Sequence, residues 1–197
     1  LAGLVTDIQA QTDRQFKLKY LTVGSGEGPV TSGISAVAQF APENKSRLLE
    51  VMIQTDIAWV SYGPTYKAGP VSGWVAATAG HIFGVPRVGP LFTASVPLGR
   101  VRLSTVQWPA LMGWKPSNYD GKMRHANYFG GASLDIGRLT ASYHLNKYLS
   151  DSWNQLPGLS YTVKVRKNVS ILPSITWNSN TSKPMFYVGL TWAPTKQ

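Results

Sequence analysis

Ser133-Leu134-Asp135-Ile136-Gly137-Arg138-Leu139-Thr140-Ala141-Ser142-Tyr143-His144-Leu145 is the stretch that decides the fold. Polar and apolar residues alternate on both sides of Gly137-Arg138, the period of a β-strand whose two faces meet different surroundings. A two-residue turn at Gly137-Arg138 pairs Ile136 with Leu139, and so sets Asp135 opposite Thr140, Ser133 opposite Ser142 and Gly131 opposite His144. Polar meets polar and apolar meets apolar, so turn and pattern specify the same hairpin.

The construction repeats. Leu98-Gly99-Arg100-Val101 brings Val96 opposite Leu103, and a loop at Arg166-Lys167-Asn168 sets Val165 opposite Val169 and Val163 opposite Ile171. Alternation also marks Phe16-Lys17-Leu18-Lys19-Tyr20, Tyr161-Thr162-Val163-Lys164-Val165 and Phe186-Tyr187-Val188-Gly189-Leu190-Thr191-Trp192. A longer case places Val51, Ile53, Ile57 and Trp59 on one face, with Glu50, Gln54 and Asp56 on the other. Long polar connections, near 113–127, 146–158 and 178–184, separate the tight turns. Outer-membrane barrels sort short turns to the periplasmic end and long loops to the outer end. A soluble meander has no reason to do so.

The expectation is therefore a single domain over residues 1–197: an all-β, closed, antiparallel up-and-down transmembrane β-barrel of about twelve strands. Strands are predicted near 184–193, 169–178, 159–165, 139–146, 127–136, 101–112, 88–98, 72–84, 53–66, 31–41 and 14–24, with a weak one near 2–11. Ten strands result if residues 1–12 and the start of 46–66 form something else. Residues 1–12 could equally form a plug. Pro90, Pro97 and Pro173 lack the amide donor a ladder needs, and predict bulges or strand ends. The seven tryptophans fall mostly near strand ends and are expected to form girdles at the lipid headgroups.

Composition agrees. Only 14% of the 197 residues are charged, whereas 19 are Gly and 16 are Trp or Tyr (7 and 9), as suits a sheet with one face in lipid. No run reaches 18 consecutive apolar residues, which excludes a helical anchor but not a barrel. With no cysteine, disulfides, thiolate metal sites and thiol nucleophiles are ruled out. No basic region followed by an apolar one opens the chain, so a signal peptide is expected to have been removed on the way to the bacterial outer membrane. The net charge of +10 comes from single residues scattered over strands and loops rather than from a stripe. No nucleic-acid partner is expected; outer-membrane lipid and the phosphates of lipopolysaccharide are.

Phe16-Lys-Leu-Lys-Tyr20, Gly33-Ile-Ser-Ala-Val37, Val60-Ser-Tyr-Gly-Pro-Thr-Tyr66, Ser72 to Gly80, and Met123-Arg-His125 with Gly130 to Leu145 together resemble the small outer-membrane adhesins of the Ail/Lom type. That likeness covers about half the chain and implies a surface-binding barrel, although the family has eight strands and this chain carries four more. A second, local likeness, from Thr78-Ala-Gly80 through Ala94-Ser-Val96 and Gly99 to Pro109, is similar to the later strands of lipid A palmitoyltransferase. It implies an acyl-transfer site built on a His with an Asp-Ser pair, for which His144 with Asp151-Ser152, or with Asn178-Ser179, are the nearest candidates.

Ser133, Asp135, Ser142 and His144 share the predicted lumen face, but the hairpin register separates Asp135 from His144 by about 13 Å, too far for a Ser-His-Asp triad. Ser142 and His144 remain as a dyad; Ser152 and Ser179 are the other hydroxyls in question. His81, His125 and His144 lie on separate segments without paired carboxylates, so neither a metal site nor a cofactor is expected. Gly24-Ser-Gly-Glu-Gly28 lacks the strand and helix of a phosphate loop and is expected to be a turn.

Lys17, Lys19, Arg102 and Lys164 are predicted to point into the lumen, opposed by Glu50, Asp56 and Asp135. An excess of cations there makes an anion-selective passage. The function expected is a non-enzymatic barrel, either a narrow channel for small anionic solutes or a scaffold whose loops bind a surface ligand. A lipid A-modifying acyl enzyme and a soluble β-barrel or virion protein are the alternatives.

Overall fold

The computed structural model describes residues 16–27, 32–82, 84–113, 125–148 and 153–194. The strands of the first half are β1 (Lys17–Glu27), β2 (Ser32–Ala41), β3 (Arg47–Gln54), β4 (Ile57–Ala68), β5 (Val71–Ile82) and β6 (Val85–Leu98). Those of the second half are β7 (Val101–Gly113), β8 (His125–Ile136), β9 (Leu139–Tyr148), β10 (Asn154–Tyr161), β11 (Val163–Arg166), β12 (Val169–Asn178) and β13 (Lys183–Trp192). From β1 to β10 each strand pairs antiparallel with its neighbour in sequence. β10 and β11 are two pieces of one barrel strand interrupted at Thr162, and both pair with β12. β12 pairs with β13, and β13 pairs with β1 from Leu21–Trp192 to Gly26–Tyr187, which closes the ring. The result is a closed antiparallel barrel of twelve strands.

The hairpins decided by sequence take the expected register. Asp135 pairs with Thr140, Ser133 with Ser142 and Gly131 with His144, and Leu98 pairs with Val101. Gly99 and Gly137 both sit at φ 64°, where a glycine closes a two-residue turn without a side-chain clash. At the third turn Val163 meets Ile171, but a bulge between Lys164 and Arg166 brings Arg166 opposite Val169 and leaves Lys167-Asn168 as the turn.

Three expectations are corrected. The predicted strand 53–66 is two strands, because the chain reverses at Thr55-Asp56, with Asp56 at φ 62° in the left-handed region that Asp tolerates. Twelve strands are reached through that extra turn, while the expected strand at 2–11 lies outside the described residues. Gly24 to Glu27 is the end of β1 rather than a turn. The loops are also less sorted than expected. At the end shared by Lys17 and Trp192, here the proximal rim, the connections are 42–46, 69–70, 99–100, 137–138 and 167–168; yet the opposite, distal rim includes the tight turn 55–56 as well as long loops.

Side chains are distributed inside out relative to a soluble protein. Phe186, Val188 and Leu190 are 61%, 54% and 51% exposed on the outer surface of β13, while Met185 and Gly189 on the alternate face are buried. β5 alternates likewise, with Trp74, Ala76 and Thr78 buried and Val75, Ala77 and Ala79 exposed. Outward apolar groups gain nothing from water, so this surface requires lipid. The tryptophan girdle is corrected in part: Trp177 and Trp192 face outward at opposite ends and Trp153 is exposed, but Trp59 and Trp74 point inward. The indole N–H of Trp74 donates to the Gly63 carbonyl at 3.0 Å. The side chains of Trp108 and Trp114 lie outside the described residues.

Prolines mark the interruptions. The β6–β7 ladder lapses between Val88–Met112 and Phe92–Gln107, around Pro90, and the β7–β8 ladder between Trp108–Phe129 and Leu111–Asn127, around Pro109. Pro173 lies on β12 beside the break at Thr162, and Pro97 sits at the end of β6. Val188→Arg, which places a guanidinium on the lipid-facing surface midway along β13, should cost about 2–4 kcal/mol in urea unfolding from phospholipid vesicles.

Candidate functional site: the lumen

Strand alternation and barrel closure together decide what faces the interior. Inward hydroxyls and amides pair across strands: Thr22 with Thr191 at 2.9 Å, Ser61 with Thr78 at 2.7 Å, Ser95 with Ser104 at 3.1 Å, and Ser35 with the Tyr187 hydroxyl at 2.9 Å. Aromatic rings fill the space that glycines leave. The Tyr187 ring lies over Gly24, Tyr66 over Gly73 and His144 over Gly131, each so close that a Cβ on the glycine would overlap it.

A cavity of about 1460 Å³ occupies the interior. Among the described residues its wall carries five basic side chains, Lys19, Lys45, Lys67, Arg102 and Lys147, and one acid, Glu50. Glu50 is held in place, accepting hydrogen bonds from Gln39 Nε2 at 3.1 Å and from the Tyr20 hydroxyl at 3.3 Å. Tyr20 reaches the interior because of a bulge between Leu18 and Tyr20, so that Lys19 and Tyr20 both line the cavity where strict alternation would send one of them outward.

The residues singled out from sequence are dispersed. Lys19 and Arg102 line the cavity. Lys17 stands at the proximal rim and pairs with Glu43 in the 42–46 loop, and that hydrogen bond and charge hold the Glu43 carboxyl below the ordinary carboxylate range. Lys164 is exposed; its partner Ser170 pairs in turn with Thr191, which places it on the inward face of the sheet but outside the cavity wall. Asp135 sits directly across from Arg102 and accepts a hydrogen bond from Thr140 at 2.7 Å. Asp56 belongs to the distal turn rather than to the lumen wall, a correction that follows from the reversal at Thr55-Asp56.

His144 faces the cavity, stacked on Phe129 at 5.3 Å, and its Nδ1 is buried without a hydrogen-bond partner. Asp135 is four pairs further along the hairpin and occupied by Thr140, so no triad forms. The Ser179 hydroxyl accepts from the Gln155 amide at 2.8 Å and lies 3.2 Å from Asn154 Oδ1, which ties the 179–182 turn to β10. Ser152 and Asp151 lie outside the described residues, as does the side chain of His125. His81 is exposed. No group of three His, Cys, Asp or Glu that could hold a metal ion occurs among the described residues.

No protein-family model matches the chain, and no curated protein matches it in sequence. Solved structures do. The KdgM porin superposes with a TM-score of 0.59 at 11% identity, over 91% of this chain and 100% of that one. The NanC porin gives 0.60 at 9% identity, over 90% and 100%. The fold is that of an outer-membrane β-barrel. A second KdgM structure, described as a complex with disordered oligogalacturonate, matches equally, at 0.59 and 11% identity. These likenesses support a small outer-membrane barrel of twelve strands and do not single out the eight-stranded adhesins or the palmitoyltransferase.

Sequence reasoning missed Lys45, Lys67, Lys147 and the inward Trp59. Once the turn at Asp56 is recognised, counting by twos from Ile57 through Trp59 reaches Lys67 on the same face. Gly131→Ala would drive a methyl group into His144 and the Tyr143 carbonyl. A loss of about 1–3 kcal/mol is expected in denaturant unfolding, with the wild-type strand count retained by circular dichroism.

Proposed function

We propose that this chain is an integral outer-membrane barrel that acts as a narrow, anion-preferring channel and carries out no covalent chemistry. The observation that carries the proposal is the cavity wall of five basic groups against one acid. In a passage walled by low-dielectric protein, an excess of basic over acidic groups lowers the energy of an entering anion and raises that of a cation. Lys19 and Arg102 are the anion-binding positions, joined by Lys45, Lys67 and Lys147; Lys17 and Lys164 act at its proximal mouth. The porins KdgM and NanC lend support through a shared fold, and one of them has been described with an oligogalacturonate.

In this proposal the proximal rim faces the periplasm and the distal rim the lipopolysaccharide leaflet. At that rim Lys147, which also lines the cavity, lies 5.6 Å over the Trp153 ring, and Tyr128 packs beside the same ring at 6.4 Å, a basic and aromatic cluster at the distal mouth.

Reversal potentials in planar bilayers under a potassium chloride gradient test the channel. Chloride should be preferred over potassium; Lys19→Glu with Arg102→Glu should lower that preference about five- to tenfold, and Glu50→Gln should raise it. A barrel that inserts yet passes no current, or passes cations preferentially, would refute the proposal.

A further inference from the structure

The same cavity is unusual in its apolar content. A water-filled barrel is expected to have a polar interior. Here Ile57, Ile82 and Leu91 are buried inside the ring with Trp74 and Ala76, and Trp59, Val106 and Phe129 pack against them. All of these except Ala76 also line the cavity. Hydroxyls such as Ser61, Thr78 and Thr93 sit among them, but most of the lining cations lie to one side. On β4, Ile57 and Trp59 lie at the distal end and Lys67 at the proximal end. On β7, Arg102 and Ser104 are proximal and Val106 is further in. On β8, Phe129 is distal and Ser133 proximal, and on β5, Ile82 is distal and Ser72 proximal. On these four strands the order is the same, and four of the five lining cations, Lys19, Lys45, Lys67 and Arg102, lie toward the proximal rim, with Lys147 at the distal one and Leu48 of β3 an apolar group on the proximal side.

We infer that the lumen binds amphiphilic monoanions, organic acids with an aliphatic or aromatic body and a single carboxylate or sulfonate, oriented with the charge toward the proximal rim. The inference rests on the anion-path reading of this cavity and names its solute class. The cations Lys19, Lys45, Lys67 and Arg102 meet the head group, and the apolar cluster covers the body. A small hydrophilic anion uses only the first half of this arrangement, and a neutral alcohol only the second. Each methylene brought fully out of water against the apolar wall strengthens binding about fourfold, so a short fatty acid gains well beyond acetate even where burial is partial.

The test uses the whole chain in phospholipid nanodiscs, titrated calorimetrically with hexanoate, acetate and 1-hexanol against empty nanodiscs, with chloride conductance recorded in parallel. Hexanoate should bind saturably and at least about tenfold more tightly than either of the others. Leu91→Ser should remove its advantage over acetate, and Arg102→Ala its advantage over hexanol; heat-shifted gel migration reports that each variant still forms a barrel, and Val106→Ser substitutes should Leu91→Ser not fold. Equal binding of hexanoate and acetate, equal binding of hexanoate and hexanol, or uptake no greater than by empty nanodiscs would each overturn the inference. Chloride current without hexanoate preference sinks this solute class and leaves the channel standing; hexanoate preference without current sinks the channel and leaves the binding site.

Discussion

Everything in this molecule depends on the ladder between β1 and β13. In hydrocarbon no water is present to satisfy an unpaired amide or carbonyl, and each one left open costs several kcal/mol. A sheet with two free edges is therefore untenable there, and the six pairs from Leu21–Trp192 to Gly26–Tyr187 remove both edges at once. The seam is built from small and polar inward residues, Gly24 opposite Gly189 and Thr22 bonded to Thr191, which lets the Tyr187 ring fold across it and reach Ser35 on β2. Closure then dictates that one face of every strand is outer and the other inner, and the pattern of the sequence has to be written for both.

How that pattern was legible follows from where it is simple. In the second half, turns of Gly-Arg at 99–100 and 137–138 sit between cleanly alternating strands, and the pairings from Asp135–Thr140 to Gly131–His144 are those the residues dictate. The first half conceals its structure for two physical reasons. The reversal at Thr55-Asp56 uses an Asp in the left-handed region instead of a glycine, so Val51 to Trp59 reads as one long strand when it is a hairpin whose faces change over at the turn. A bulge at Lys19 shifts the phase of β1 by one residue, which brings Tyr20 inward beside Glu50.

The candidate site was legible in part for a related reason. Basic residues on a polar face announce themselves, and Lys19 and Arg102 were readable from alternation alone. Inward apolar groups do not: Ile57, Trp59 and Leu91 look like lipid-facing residues to any rule that assigns grease outward. Only the phase of the neighbouring strands, fixed by pairing, distinguishes an apolar residue that meets lipid from one that meets the cavity.

The lapses around Pro90 and Pro109 give the ring mechanical anisotropy. Ladder bonds bear the hoop tension of a barrel, and a sector that lacks them opens locally at lower free energy than its surroundings. That sector runs through β6 and β7, and Leu91, an anchor of the apolar cluster, is rooted in the lapse itself. An opening of that sector reaches the hydrocarbon lining at Leu91, whereas Arg102, paired on both sides, is anchored outside it.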